Sequence, residues 1–298
     1  MGIKVLSLFD GISCGMVALE RAGFKVDEYI AYEIEEDSIK VSKSNYPKII
    51  QKGDVFKADF TEFKGFDLLI GGSPCSWWSN ARANRTDKET SPDGIGYKLF
   101  CEYVRALKES GVKYFLYENN YSISKEIKDQ ITRDLGVRPI LINSSLVSAQ
   151  NRKRCYWTNI PNVTQPQDKK TLLGDVIEGA VNGAAYRNQV QKDGTLKACT
   201  NVRKDGKANC LIAYMANKNC CVQMADGSIR PLTAGEFEIL QTLPVGYTTC
   251  LSESKRKSVI ALGWTVDVIV HLLKGLPNIE LSNWLDEFLG GATKCHKC

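Results

Sequence analysis

The sequence has no apolar run of about eighteen residues or more, which leaves no candidate for a membrane-spanning helix. Its start carries no basic stretch leading into an apolar core and a small-residue cleavage site. Ile3-Lys4-Val5-Leu6-Ser7-Leu8 reads directly as a strand, so no secretory leader is expected. Strong charge of one sign is also missing: 39 Lys and Arg against 34 Asp and Glu leave +5, so the placement of charge matters more than its total. Cysteine is plentiful, but regular spacing is not. Eleven cysteines, an odd number irregularly placed in 298 residues, exclude a disulfide framework and point to reduced thiols in a cytosolic, cytoplasmic setting. The length and apolar content suffice for one large domain with a smaller one appended.

What is present centres on Gly71-Gly72-Ser73-Pro74-Cys75-Ser76-Trp77-Trp78-Ser79, which follows the short apolar strand pattern Phe66-Asp67-Leu68-Leu69-Ile70. Two glycines allow a sharp turn, Pro74 fixes φ just before the thiol, and Ser76 and Ser79 are positioned for local hydrogen bonds. That arrangement presents Cys75 at a strand end, where open α/β sheets bind their ligands. A thiol near its reference pKa of ~8.5 is mostly protonated at neutral pH, so a nucleophilic role requires nearby positive charge. Arg82, Arg85 and Lys88 follow in the same polar loop. Taken alone, a strand-end cysteine is as readily a core residue.

The first unit reads strand, glycine turn, helix: Val5 to Leu8, then Phe9-Asp10-Gly11-Ile12-Ser13-Cys14-Gly15, then Met16 to Arg21. This is how a nucleotide-like cofactor is received, although the spacing is not the dinucleotide Gly-x-Gly-x-x-Gly. A second strand, Glu28 to Tyr32, ends in Glu33, about 20 residues beyond the first turn, the separation at which a carboxylate holds ribose hydroxyls. Asp54, in Gly53-Asp54-Val55, is a further acidic candidate after a third short strand and could accept from an exocyclic amine. Tyr114-Phe115-Leu116-Tyr117 delivers Glu118. A carboxyl buried there against apolar strands is hard to ionise and suited to donate a proton. In Gln150-Asn151-Arg152-Lys153-Arg154, alternate residues of an extended chain share a face, so Arg152 and Arg154 can point toward one anionic target.

The order of these motifs resembles that of the DNA cytosine-5 methyltransferases, from residue 3 to about 274. Within that family, Leu8-Phe9-Asp10-Gly11-Ile12, the stretch from Glu33 to Ile39, and Ser76 after Pro-Cys, where glutamine is commoner, are most similar to the de novo branch. The resemblance implies an α/β fold: a Rossmann-like S-adenosylmethionine-dependent methyltransferase sheet with a small, irregular target-recognition domain. It implies S-adenosyl-L-methionine as cofactor, double-stranded DNA as partner, and methyl transfer to C5 of cytosine through a covalent adduct between Cys75 and C6 of a flipped-out base. Glu118 is then the acid, with Arg152 and Arg154 as supporting cations. Phe9, Asp10, Gly11, Ile12, Glu33, Asp54, Val55, Pro74 and Trp264 are the expected cofactor neighbours. Ser79, Arg82, Arg85, Arg203 and Lys204 are the expected DNA contacts. A tRNA-directed enzyme and a catalytically inactive DNA-binding regulator are the alternatives.

Two departures from the family pattern stand out. Asn120 occupies a position usually held by a small apolar residue, and the closing motif Ala261-Leu262-Gly263-Trp264-Thr265-Val266 lacks the usual asparagine after its glycine. The expected domains are 1–163 (catalytic and cofactor-binding), 164–229 (target recognition, with lysine and arginine in excess of acid), 230–276 (return to the first domain) and 277–298 (tail). Thr233 with Glu236 has the form of a capping box opening a helix in the returning segment. The terminal Cys295-His296-Lys297-Cys298 offers at most three ligands, so no metal site is expected. The chain is read as a monomer, with room for a cognate restriction endonuclease as partner.

Overall fold

The computed structural model describes residues 2–78, 89–190 and 196–277. The first half alternates strand and helix: β1 (Ile3–Leu8), α1 (Cys14–Arg21), β2 (Val26–Tyr32), α2 (Glu36–Asn45), β3 (Ile50–Gln51), β4 (Leu68–Gly71), α3 (Ile95–Ser110), β5 (Tyr114–Asn120), α4 (Lys125–Leu135), β6 (Ile140–Asn143) and β7 (Lys153–Thr158). These strands form one sheet in the order β3-β2-β1-β4-β5-β7-β6. The pairings from β3 through β5 are parallel, and β7 runs antiparallel to both β5 and β6. This is the Rossmann-like methyltransferase sheet that the motif order implies. Parallel neighbours end on the same side, so the turns after β1, β2, β3, β4 and β5 gather along one edge.

Side-chain alternation explains why the sheet is covered on both faces. Ile3 and Val5 of β1, Tyr29 and Ala31 of β2, and Leu68 and Ile70 of β4 enter one buried cluster; Leu6, Leu8, Ile30, Tyr32 and Leu69 enter the other. On the second face, α3 presents Phe100 and Tyr103 and α4 presents Ile127 and Ile131. Both helices stop at glycines in the left-handed region, Gly111 (φ 63°) and Gly136 (φ 69°).

The segment after β7 contains α5 (Leu173–Val176), β8 (Ala180–Val190), β9 (Leu196–Val202), α6 (Ala216–Asn219), β10 (Cys221–Met224) and β11 (Ile229–Pro231). Its strands make an antiparallel sheet ordered β11-β10-β8-β9. The expected irregular module is therefore more ordered than its composition suggests. β8 and β9 lack clear apolar alternation because the distal part of their ribbon has little core to face: Tyr186, Arg187 and Asn188 are all exposed. The last strand of this sheet, β11, ends at Pro231.

The chain then returns through α7 (Ala234–Leu240), α8 (Glu253–Leu262) and α9 (Val266–Leu273). The capping box at Thr233 forms, with Glu236 N donating to Thr233 Oγ1 at 3.2 Å and Thr233 N to Glu236 Oε2 at 2.7 Å. α9 packs on α1, buries Val266, Val268, Ile269, Leu272 and Leu273, and is tied to it by Arg21–Asp267 at 3.1 Å. Among the described residues, no helix is long and apolar enough to cross a membrane.

Candidate functional site

The turn after β1 is strained into shape. Phe9, Gly11 and Ser13 all take left-handed backbone angles (φ 56°, 60° and 59°), and only one of the three is a glycine. Asp10 braces the turn from below. Its carboxylate accepts from Ser7 Oγ (2.6 Å), Ser13 Oγ (2.5 Å) and Tyr29 OH (2.7 Å), and burial pushes its pKa up to about 6 despite these donors. The Asp10 carboxylate is thus engaged by three donors from within the fold. Ile12 likewise buries its side chain and offers its carbonyl to Tyr247 OH at 2.7 Å.

Glu33 lies beside this turn. Its Oε2 accepts from Gly11 N at 2.8 Å, and its Oε1 accepts from Ile34 N and Glu35 N at 2.8 and 2.9 Å. Asp54 uses one oxygen to cap the turn at Phe56 N (3.0 Å), while Val55 next to it is buried. Two side chains not anticipated from the sequence flank these carboxylates: Ile34 is 72% exposed and Phe56 51%. Exposed apolar groups adjoining two carboxylates, beside a turn with open space above Gly11, fit the adenosine of S-adenosylmethionine: a flat ring between apolar surfaces, with acceptors for its amine and ribose hydroxyls. Their places, one residue after Glu33 and two after Asp54, are the only signal the sequence carries for them.

At the end of β4, the two glycines serve close approach rather than a left-handed turn. A Cβ on Gly71 would meet Leu8 O at 2.5 Å, and one on Gly72 would meet Glu118 O at 2.9 Å and Glu118 Oε2 at 3.1 Å. The shelf is fixed by Ser73, whose hydroxyl pairs with Tyr117 OH at 2.6 Å and whose carbonyl accepts from Asn119 Nδ2 at 3.2 Å. Ser73, Tyr117 and Asn119 thus brace the shelf; Ser79 lies outside the described residues. Pro74 is exposed, and Cys75 beside it is half-buried at the start of a short 3-10 turn.

Glu118 stands on the neighbouring strand. Arg154 Nε approaches its Oε1 at 2.9 Å, and Trp264 Nε1 donates to its Oε2 at 3.0 Å. The expectation of an apolar seat is therefore corrected: both carboxylate oxygens have donors. Burial pushes the Cys75 thiol up; Arg154 pulls it down without reversing the shift, and Glu118 adds to the rise. For Arg154 burial works against the charge, but Cys210, Glu118 and Cys75 together outweigh it.

Arg152 also lowers the Cys75 pKa, more weakly than Arg154, and it has a structural task besides. Its Nη2 donates to the carbonyls of Ala261 (3.1 Å) and Gly263 (3.0 Å), and its Nη1 to Leu211 O (3.2 Å) and Cys210 Sγ (3.5 Å). It is a buried clamp joining β7 to the recognition module and the returning segment. Cys210 was not anticipated at all. Burial alone would raise its pKa, yet Arg152 and Arg154 together lower it, so a second thiol shares the cations of Cys75. No sequence motif marks it.

In the segment after β9, Arg203 is paired with Asp205, with Nε 2.9 Å from Oδ1, whereas Lys204 is exposed. The basic excess is smaller at the surface than in the sequence, because Lys207 Nζ turns inward to the carbonyls of Ser145 (2.9 Å), Ser148 (3.2 Å) and Thr171. Ser79, Arg82, Arg85 and the terminal Cys295–Cys298 cluster lie outside the described residues. Among the described residues no group of His, Cys, Asp and Glu is arranged for a metal.

Residues 3–172 match the family model described as C-5 cytosine-specific DNA methylase. Among curated proteins, the chain is similar to the type II methyltransferase M1.ScrFI of Lactococcus lactis subsp. cremoris, 25% identical over 287 residues that cover 85% of this chain and 72% of that one. It is also 31% identical over 170 residues to the orphan methyltransferase M.SPRI of Bacillus phage SPR, covering 53% of this chain and 38% of the phage enzyme. Among solved structures it is similar to the methyltransferase EhMeth of Entamoeba histolytica, with TM-score 0.69, 16% identity and coverage of 92% of this chain and 98% of that one. The last likeness concerns the fold.

Proposed function

The chain belongs to the C-5 cytosine-specific DNA methylase family, and from that premise we propose that it transfers a methyl group from S-adenosyl-L-methionine to C5 of cytosine in double-stranded DNA, through a covalent Cys75–C6 adduct. The observation that carries this reading is the convergence of Cys75 after β4, Glu118 on β5 and Arg154 at the start of the adjoining antiparallel β7, on the sheet edge where Glu33 and Asp54 also stand.

Unactivated C5 of cytosine is a poor nucleophile, and C6 is out of reach in a stacked duplex. The nucleotide must therefore swing out, at a cost of a few kcal/mol. Cys75 gives its proton to solvent water and its sulfur adds to C6, while Glu118 delivers a proton to N3, which leaves C5 enamine-like. Arg154 holds Glu118 in register and offsets the charge that builds nearby. S-adenosylmethionine supplies an electrophilic methyl on a sulfonium. Once C5 carries that methyl, with S-adenosyl-L-homocysteine as the leaving group, C5 gives up its proton to solvent water, the electron pair re-forms the C5–C6 double bond as the Cys75 thiolate departs, and N3 returns its proton to Glu118.

Glu33 and Asp54 would hold the ribose and adenine, with Ile34 and Phe56 flanking the ring. The module built on β8 to β11 would read the duplex, with Lys204 among its phosphate contacts. Residues 1–163 and 230–276 would form the catalytic domain. A reducing cytosol suits the free thiols, nine of them among the described residues.

The test is transfer of labelled methyl from S-adenosylmethionine to duplex DNA and, in parallel, to tRNA. Transfer to DNA that is lost in Cys75→Ala, with cofactor binding retained, supports the reading. Transfer to tRNA alone would reassign the substrate, and DNA binding without turnover would make the chain a regulator.

A further inference from the structure

We propose that Trp264 is a positioning residue for the proton-donating carboxyl: its indole N–H holds one oxygen of Glu118 and fixes that group's orientation in the cleft. The proposal rests on the reading of Glu118 as the acid. Trp264 Nε1 lies 3.0 Å from Oε2, and Arg154 Nε takes the opposite oxygen at 2.9 Å. The terminal torsion of a glutamate is broad, so a carboxyl gripped on one oxygen can still rotate. Gripped on both, it is confined to one plane. Delivering a proton to a ring nitrogen requires such confinement, because the acceptor lone pair lies in the plane of the base.

The surroundings are built for this contact. Gly72 leaves room for it: a Cβ there would stand 3.1 Å from Glu118 Oε2 and 3.6 Å from Trp264 Nε1. Trp264 is itself fixed on both sides along the chain. The carbonyl of Gly263 accepts from Arg152 Nη2 and from Gln241 Nε2, each at 3.0 Å. Thr265 Oγ1 donates to Gln241 Oε1 at 2.7 Å and accepts from Ser144 Oγ at 2.9 Å. The residue before it packs on the start of α1: a Cβ on Gly263 would meet Cys14 Sγ at 3.1 Å. The segment thus lies against the helix that follows the strained turn and presents its indole to the acid. This gives the buried clamp of Arg152 a functional consequence, since it holds the segment that carries Trp264.

Trp264→Phe keeps a ring and removes the N–H. With wild-type, Trp264→Phe, Glu118→Gln and the double variant assayed on duplex DNA and on tRNA, kcat is expected to fall about tenfold in Trp264→Phe. The Kd for S-adenosylmethionine, read by calorimetry, should change less than about twofold. In the Glu118→Gln background the same substitution should cost nothing further, because the group it positions can no longer give up a proton. Site-specific replacement of the indole by benzothiophene, which has the same shape with sulfur in place of N–H, repeats the test without a packing change.

An unchanged kcat in both Trp264 variants, with Glu118→Gln impaired, would overturn this proposal and leave the functional reading intact. Weaker cofactor binding at unchanged kcat would make Trp264 a cofactor neighbour only, and would also overturn it. Wild-type transfer to neither acceptor would remove the functional reading and this proposal together.

Discussion

Arg154 Nε sits 2.9 Å from Glu118 Oε1, with the two side chains only 10% and 13% exposed, so the cation that most lowers the Cys75 pKa is already matched by a carboxylate. The acid and the nucleophile therefore share one positive charge, and removing either changes the other.

Glu118→Gln is accordingly expected to have two opposite effects. Turnover should fall about 100-fold or more, the usual worth of a positioned acid. The Cys75 thiol should become easier to ionise, because a negative charge that raises its pKa is gone. Iodoacetamide labelling near pH 8, followed by mass spectrometry of the Cys75 peptide, should then run faster than in wild type. In wild type, Cys210 should label before Cys75, since Arg152 and Arg154 lower its pKa. Slower Cys75 labelling in Glu118→Gln, or the reverse order of the two thiols in wild type, would contradict the shared-charge account.

Arg152→Ala should act on stability first. The substitution removes donors from the carbonyls of Leu211, Ala261 and Gly263 in the interior. Hydrogen bonds to a charged group are worth about 1.5–3 kcal/mol each, so a loss of about 3 kcal/mol or more is expected. At about 2–4 °C per kcal/mol for a chain of this size, the melting temperature should drop by roughly 6–12 °C. A calorimetric shift under about 2 °C would show that the clamp is not structural.

Asp10 supplies a pH signature. Its folded-state pKa, about 6, exceeds the ordinary 3.8, so the folded protein holds this proton more tightly than the unfolded chain. The Asp10 contribution is fully present below about pH 4 and is lost as pH rises through about 6, a change on the order of 2–3 kcal/mol. Urea midpoints measured between pH 4 and pH 7 should therefore decline more steeply with pH in wild type than in Asp10→Asn. Parallel curves would place the Asp10 carboxylate in solvent.

The parallel strands and the residues at their ends were legible because each lies where a buried apolar run meets glycine, proline or acid. Cys75, Glu33, Asp54 and Glu118 all occupy such junctions. What was not legible depends on contacts between distant segments. Arg152 and Arg154 are two residues apart and look alike in sequence, yet one is spent on carbonyls of residues 211, 261 and 263 and the other on Glu118. Cys210 acquires its character from both arginines across the domain boundary, and Lys207 looks like surface charge until Ser145 and Ser148 fold over it. The distal part of the β8–β9 ribbon escaped because strands with little core to face leave no alternating pattern.

The most direct test of the central claim is covalent capture. Duplex DNA carrying 5-fluorocytosine, incubated with the protein and S-adenosylmethionine, blocks loss of the C5 substituent and should leave a denaturant-resistant protein–DNA complex. Mass spectrometry should place its link at Cys75, and Cys75→Ala should form none. Efficient methylation of ordinary cytosine with no captured complex, or a complex linked through another residue, would contradict the mechanism.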